Sequence, residues 1–398
     1  MIENKDILIV GLQSLDSRIG SNCVNIAHEF AKHNRVLYVN YALDRKTALL
    51  SKSDPLVQKR LKVIRGKLPE ITEVKKNLWN LSPPVILEST NQISPAFLFR
   101  FLNRINNKRF AGAIAPTLRK LGFKNFILFN DSDFYRSFFL ADFLNPELYV
   151  YYTRDNMVAT KYFRKYGKEF EGKLMKKSDL VVANSKYLQE KAAEYNKNAF
   201  YVGQGCDFSL FNNENKYRIP ADLQKIPRPR IGYLGALKSS RLDIDLLYEI
   251  ASGKRNYQVV LVGPEDQMFK KSILHQLDNV HFMGPRKQEE LPSYLKGFDV
   301  AINPQSLNEL TVGNYPRKID EYLAMGKPTL ATNTPSMKVF AKYVYLAEGA
   351  KQYISMIEKA LEEDSEELSR KRSRFARQHT WENSVESIYE AIETVSKS

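Results

Sequence analysis

Short apolar runs recur along the chain, separated by segments whose apolar residues follow a helical spacing. The first run, residues 6–10, leads into the loop GLQSLDSRIGSN and then a helix predicted over 23–33. The next strand is RVLYVN, residues 35–40. A strand–loop–helix–strand start builds parallel sheet. Residues 52–84 are basic and interrupted by proline, and only LWNLSPPVIL within them reads as a strand entering a loop. Further strands are predicted at 125–130, 147–153, 180–184 and 199–205, with helices at 161–176 and 186–195. Short apolar strands alternating with helices are the pattern of a sheet covered on both faces.

The pattern breaks after residue 210. FNNENKYRIPADLQKIPRPR is polar and holds three prolines, and it reads as an interdomain connection at 211–229. A second β/α series follows. Its strands end at Gly235 and lie at 257–263, 279–284, 299–304, 328–332 and 344–348, and a last helix starts near Trp381. The expected fold class is α/β, with two Rossmann-like, doubly wound domains at 1–210 and 230–380 facing a cleft. At 398 residues the chain exceeds one ordinary core, in keeping with two domains. No short tandem repeat is present, which excludes a solenoid.

Composition adds the compartment and the kind of partner. Hydrophobic content of 43% and charged content of 26% are those of a globular chain. The two cysteines, Cys23 and Cys206, make no disulfide framework and point to a reducing compartment. The N-terminus enters a strand without signal-peptide features, and no apolar run approaches the ~20 residues that span a bilayer. A cytoplasmic location is expected. The net charge of +15 calls for an anionic partner. From Phe97 to Lys124 there are seven Lys/Arg and no Asp/Glu, interleaved with phenylalanine and leucine. That mixture suits peripheral contact with an anionic membrane at its inner face. A pair of ordinary amphipathic helices with a solvated basic side would show it too.

Several loops carry candidate chemistry. Gly20, Ser21 and Asn22 precede a helix, where free N–H groups and a glycine favour an anion, although the glycine spacing is not that of a dinucleotide fingerprint. Asp131 and Asp133 form an Asp-x-Asp after a strand, read either as metal ligands or as helix caps. Arg154, Asp155 and Asn156 lie just past a strand end, where such sheets bind ligands, and read either as catalytic or acceptor-positioning groups or as an N-cap or loop salt bridge. Gly235 ends a strand, and Lys238 and Arg241 follow it as flexible cations suited to a diphosphate. The richest stretch is NELTVGNYPRKIDEYLAMGKPTLAT. Pro316 favours a helix start near Tyr315, and Arg317 and Lys318 add cations there. Glu321, one turn deeper, can accept bonds from two ribose hydroxyls, whereas Asp320 reads as a solvated neighbour. Gly326 and Pro328 end the helix.

The succession GYLGALKSSRLDIDLL, YQVVLVGP, NVHFMGPRKQEELPSYLKGFDVAINP, NELTVGNYPRKIDEYLAMGKPTLAT and HTWENSVESIYEAI resembles GT-B glycosyltransferases of the family 4 type. The nearer likeness is to the teichuronic acid and exopolysaccharide branch. The resemblance implies a GT-B fold whose terminal helix, 381–398, returns to the N-terminal domain. It implies a retaining transfer of a sugar from a UDP- or GDP-linked donor to a glycan or lipid-linked acceptor. The C-terminal domain would bind the donor and the N-terminal domain the acceptor.

No cofactor and no metal are implied, because cations and a helix start stabilise the leaving diphosphate. Lys238 or Arg241 matches the diphosphate position, and Glu321 the second glutamate of a Glu-x7-Glu motif. The first glutamate falls at Gly313, with Glu309 as a candidate substitute. Gly313, Asn314 and Tyr315 would also line the donor site, and Pro285, Arg286 and Lys287 would lie near the base. Asp155 falls near the family's acceptor-side histidine or aspartate. The competing readings are a nucleotide-sugar epimerase or hydrolase on the same fold, and a non-catalytic nucleotide-sugar or nucleic-acid binder. No zinc spacing or RNP-type motif supports nucleic acid.

Overall fold

The computed structural model describes residues 2–17 and 21–397. The chain divides into two compact units, Met1–Gly203 with Ser384–Ser398, and Gln204–Asn383.

The first unit holds β1 (Asp6–Gly11), β2 (Arg35–Val39), β3 (Leu43–Asp44), β4 (Ile71–Lys75), β5 (Leu78–Leu81), β6 (Ile86–Leu87), β7 (Phe126–Asp131), β8 (Leu148–Thr153), β9 (Leu180–Ala183) and β10 (Ala199–Tyr201). Eight of these form one sheet in the order β10-β9-β8-β7-β1-β2-β5-β4. Only β4, at one edge, runs antiparallel to its neighbour. Strand order reverses between β1 and β7, so their carboxyl ends flank the switch point where open α/β sheets bind ligands. Gly11 pairs with Asp131 there, and a Cβ on Gly11 would stand 2.9 Å from the Asp131 Cβ, so glycine lets the two strand ends approach.

The second unit holds β11 (Arg230–Leu234), β12 (Gln258–Val262), β13 (Val280–Gly284), β14 (Val300–Asn303), β15 (Thr329–Thr332) and β16 (Tyr345–Ala347). They form one parallel sheet in the order β13-β12-β11-β14-β15-β16. Its switch point lies between β11 and β14. Val259, Val260, Leu261 and Val262 are all fully buried, and alternate residues feed the cores on opposite faces of the sheet. Each such side chain contributes roughly 1.5–3 kcal/mol. That explains why β12 is an uninterrupted apolar run.

Four readings of the sequence change. Residues 211–229 are not a free connection: Phe211, Leu223 and Ile226 are buried in a core of the second unit, around the helix Ala221–Gln224. Residues 52–84 fold as the helix Pro55–Ile64 followed by β4 and β5, with Asp54 capping the helix. The basic stretch from Phe97 is one helix, Ala96–Leu121, rather than a pair. Pro116 lies inside it and leaves the carbonyl four residues earlier, on the exposed Gly112, without its helical donor. The helix expected at 161–176 starts only at Gly167. The terminal helix spans Trp381–Ser396, and from Ser384 onward it belongs to the first unit. There Tyr389 stacks on Phe30 at 5.5 Å and accepts a hydrogen bond from Asn34 at 2.8 Å.

The first unit buries one carboxylate of consequence. Tyr151 donates to Glu171 at 3.0 Å, and both side chains are buried. Burial pushes the Glu171 carboxyl above its ordinary 4.5, and the nearby Lys191 and the Tyr151 bond only partly offset this. A carboxyl raised on folding contributes stability that is full below the unfolded value and lost as pH rises through the folded one. Glu171→Gln keeps an acceptor for Tyr151 and removes the charge. Its Tm should exceed the parent's at neutral pH and converge with it at a pH of about 4. An equal or lower Tm at neutral pH would refute this account.

Candidate functional site

In the second unit, candidate side chains collect at the carboxyl ends of β11 and β14. Gly235 follows β11 with φ +134°, a conformation side chains rarely adopt, and a Cβ there would stand 3.2 Å from Lys318 Nζ. Lys318 Nζ donates to the Tyr233 hydroxyl and lies 4.2 Å from the centre of its ring. The sequence reading missed Tyr233; its only signal was an aromatic two residues before the strand-ending glycine. Beyond Gly235, Lys238 is exposed and Arg241 half-buried. The loop that holds them is braced against the segment after β14. The Ser306 N–H donates to the Arg241 carbonyl at 3.0 Å, and the Asn308 side chain to the Ser240 carbonyl at 3.1 Å. Two cations and the loop carrying Glu309 are thereby joined. Glu309 is exposed in that loop, and Gly313 is buried.

The helix after this loop spans Lys318–Ala324, shorter than expected and begun later. Tyr315 lies ahead of the helix rather than in it. It is buried, and it donates to Asp320 at 2.9 Å. Asp320 is not a solvated neighbour either: it is fully buried, and His379 Nδ1 lies 2.7 Å from its carboxylate. Burial pushes the Asp320 carboxyl up, and the bonds from His379 and Tyr315 partly offset that. Sequence periodicity could not show this, because the two partners lie 5 and 59 residues away. Arg317 Nε reaches Glu321 at 3.0 Å, one turn on. With Asp320 turned inward, Arg317, Lys318 and Glu321 are the half-buried charges that this helix start presents.

Pro285, Arg286 and Lys287 follow β13, the edge strand, away from the switch point. The Arg286 guanidinium donates to Asp222 at 2.9 Å and to the Tyr294 hydroxyl at 2.6 Å, so its charge is engaged within the fold. The Lys287 N–H donates to Glu290 at 2.9 Å. Asn314 is half-buried beside Tyr315.

In the first unit, Arg154 grips the fully buried Asp131 with two bonds, at 2.7 and 3.2 Å, and reaches Asp155 at 3.4 Å. Burial alone would lower the Arg154 pKa, but Asp131 and then Asp155 raise it, so the guanidinium stays charged. Two carboxylates therefore already engage this cation, as a loop salt bridge does. Asp133 is likewise buried and accepts from Arg136 at 2.9 Å. Ser21 caps the helix Asn22–Phe30 by accepting from the Val24 N–H, and Asn22 donates to the Tyr152 hydroxyl at 3.3 Å. Gly20 lies outside the described residues. Among the described residues no group of three His, Cys, Asp or Glu could hold a metal ion.

Two Rossmann-like units with ligand-type switch points make this a GT-B fold. HepE of Anabaena, solved with UDP, superposes at a TM-score of 0.66 with 14% identity, covering 98% of this chain and 100% of that one. Sucrose-phosphate synthase of Thermosynechococcus elongatus superposes at 0.68 with 14% identity, covering 99% of each chain. Residues 228–363, about a third of the chain, match the model of the family described as glycosyl transferases group 1, and this segment carries the quoted motifs from GYLGALKSSRLDIDLL to NELTVGNYPRKIDEYLAMGKPTLAT. TuaH of Bacillus subtilis strain 168, named as a teichuronic acid biosynthesis glycosyltransferase, is 29% identical over 241 residues. That match covers 57% of this chain and 60% of TuaH.

The Asp320 node is open to direct test. Asp320→Ala leaves Tyr315 and His379 without their shared acceptor, and leaving a buried hydrogen-bonding group unsatisfied costs about 1–3 kcal/mol. Denaturant unfolding should show that loss, and a change under about 1 kcal/mol would mean the pair is not buried as described.

Proposed function

We propose that the chain is a retaining glycosyltransferase, moving a sugar from a UDP- or GDP-linked donor to a lipid-linked or polysaccharide acceptor in cell-surface glycan biosynthesis. The observation that carries the reading is the gathering of Gly235, Lys318, Arg317 and Glu321 about the β11/β14 switch point, within the segment matching the group 1 model. Transfer breaks the bond from the anomeric carbon to the diphosphate oxygen. It forms a bond from the same carbon to an acceptor hydroxyl, whose proton leaves with the diphosphate. Lys318, with Lys238 and Arg241, would stabilise the developing phosphate charge without a metal. Glu321 would accept from the ribose hydroxyls. HepE has been solved with UDP-glucose, which supports a nucleotide-sugar as ligand.

The first unit would take the acceptor, with Asp155 orienting its hydroxyl. The described helices include none long and apolar enough to cross a membrane. Access to a lipid-linked acceptor at the inner membrane face would then be peripheral, through the basic helix that begins beside Phe97. Gly313, standing where the family places a carboxylate, leaves the donor sugar to other groups such as Glu309.

A thermal-shift screen over UDP, GDP and ADP and their sugars should show one base family raising the apparent stability, by about 2.7 kcal/mol at a hundred times Kd. Calorimetry should then show Lys318→Met weakening that diphosphate about tenfold or more, since a bond to a charged group is worth about 1.5–3 kcal/mol. Glu321→Ala should weaken the nucleotide more than its 2′-deoxy form, which has only the 3′-hydroxyl left to donate. Unchanged affinity in both variants would remove the site assignment. Free sugar released without transfer would move the reading to a hydrolase.

A further inference from the structure

In the first unit the helix Ala96–Leu121 buries Phe99, Phe110 and Ile114, yet three of its apolar side chains face away from the core. Phe97 is 71% exposed, Phe101 62% and Ile105 37%. At about 100° per residue these three fall within an arc of about 80° on the helix surface. By the same geometry Lys108 lies inside the arc, and Arg104 and Arg100 run along one edge. The helix carries six Lys/Arg and no Asp/Glu. An exposed aromatic ridge bordered by cations is the arrangement of interfacial helices, whose rings enter the headgroup layer while cations meet its phosphates.

A second observation lies beside that edge. Arg100 pairs with Glu169 at 2.5 Å, which ties the ridge to the helix Gly167–Lys177. That helix borders a groove of about 470 Å³ lined by Lys165, Lys168, Lys173, Lys176 and Tyr195, with Glu169 as its one acid. Arg100 and Lys173 both pair with Glu169 and hold its carboxyl below the usual range, so the acid does not cancel the remaining lysines. Lys168 is exposed and has no acidic partner among the described residues. An acidic protein surface would satisfy the lysines but would not cover two exposed phenylalanines. An anionic bilayer satisfies both.

We infer that the Phe97–Phe101–Ile105 ridge and the lysine groove form one docking face for an anionic lipid bilayer. The ridge enters the interfacial layer, and the groove receives headgroup phosphate. This rests on the proposed membrane-side acceptor and gives it a surface. It also extends the basic segment of the sequence to a second helix.

Flotation of the whole chain with phosphatidylcholine vesicles containing about 30% phosphatidylglycerol should carry it to the lipid layer, and pure phosphatidylcholine should not. Phe97→Ser with Phe101→Ser should lower the bound fraction about tenfold, as should Lys168→Glu with Lys176→Glu. Both pairs should keep the parent's circular dichroism and Tm, which shows that they are folded. The inference is overturned if the parent does not float, or if either pair floats like the parent. Salt-dependent binding of single-stranded RNA without flotation would also overturn it, because aromatics and cations can serve bases and phosphates instead. Flotation that follows this pattern in a parent without nucleotide affinity would fault the donor-site reading and leave the docking face standing.

Discussion

Burial of the parallel strands on both faces is the constraint from which the rest follows. With Ile231, Val259 to Val262, Val300 and Ile302 buried on one side or the other, the second sheet has no face left for chemistry. Polar side chains can meet a ligand only where strands stop. The reversal of strand order opens such a place beyond β11 and β14, and the loop after each is braced against the other. The first unit follows the same logic at β1 and β7, where glycine at position 11 admits the Asp131 side chain.

Charge at these strand ends is sorted by depth. Asp131 and Asp320 are fully buried, and each is held by a partner distant in sequence, Arg154 and His379. A carboxylate at that depth without a partner would be strongly destabilising, so the pairs are conditions for the strand ends to close. Nearer solvent, Arg317, Lys318 and Glu321 are less engaged. Lys318 rests on the Tyr233 ring, an arrangement that steers a flexible side chain without neutralising it. The inner pairs thus set where the outer charges stand.

Much of this was legible in the chain. Apolar run length marks most of the strands, since a doubly covered strand must be apolar throughout. The glycine at 235 and the cations at 317 and 318 mark the switch-point chemistry, and the resemblance carried by the C-terminal motifs agrees with the family model over 228–363. The polar, proline-rich stretch 211–229 misled because the apolar residues that anchor it in a core, Phe211, Leu223 and Ile226 with Tyr217 and Ile219 packed against them, are scattered among polar ones. The late helix start at Lys318 was hidden because Pro316 permits a helix but does not require one.

The sequence by itself determined the α/β class, the alternation that builds two parallel sheets and the residue types at their ends. These depend on local spacing and on which side chains water rejects. Tertiary structure alone decided which charges are spent and which are available. Asp320 and Glu321 are adjacent and chemically alike, yet one is sealed against Tyr315 and His379 while the other remains beside Arg317. Arg154 and Lys318 are both cations near strand ends, yet only Arg154 meets a buried carboxylate. The physical reason is desolvation. Its cost is set by surroundings assembled from distant segments, which no window of sequence contains.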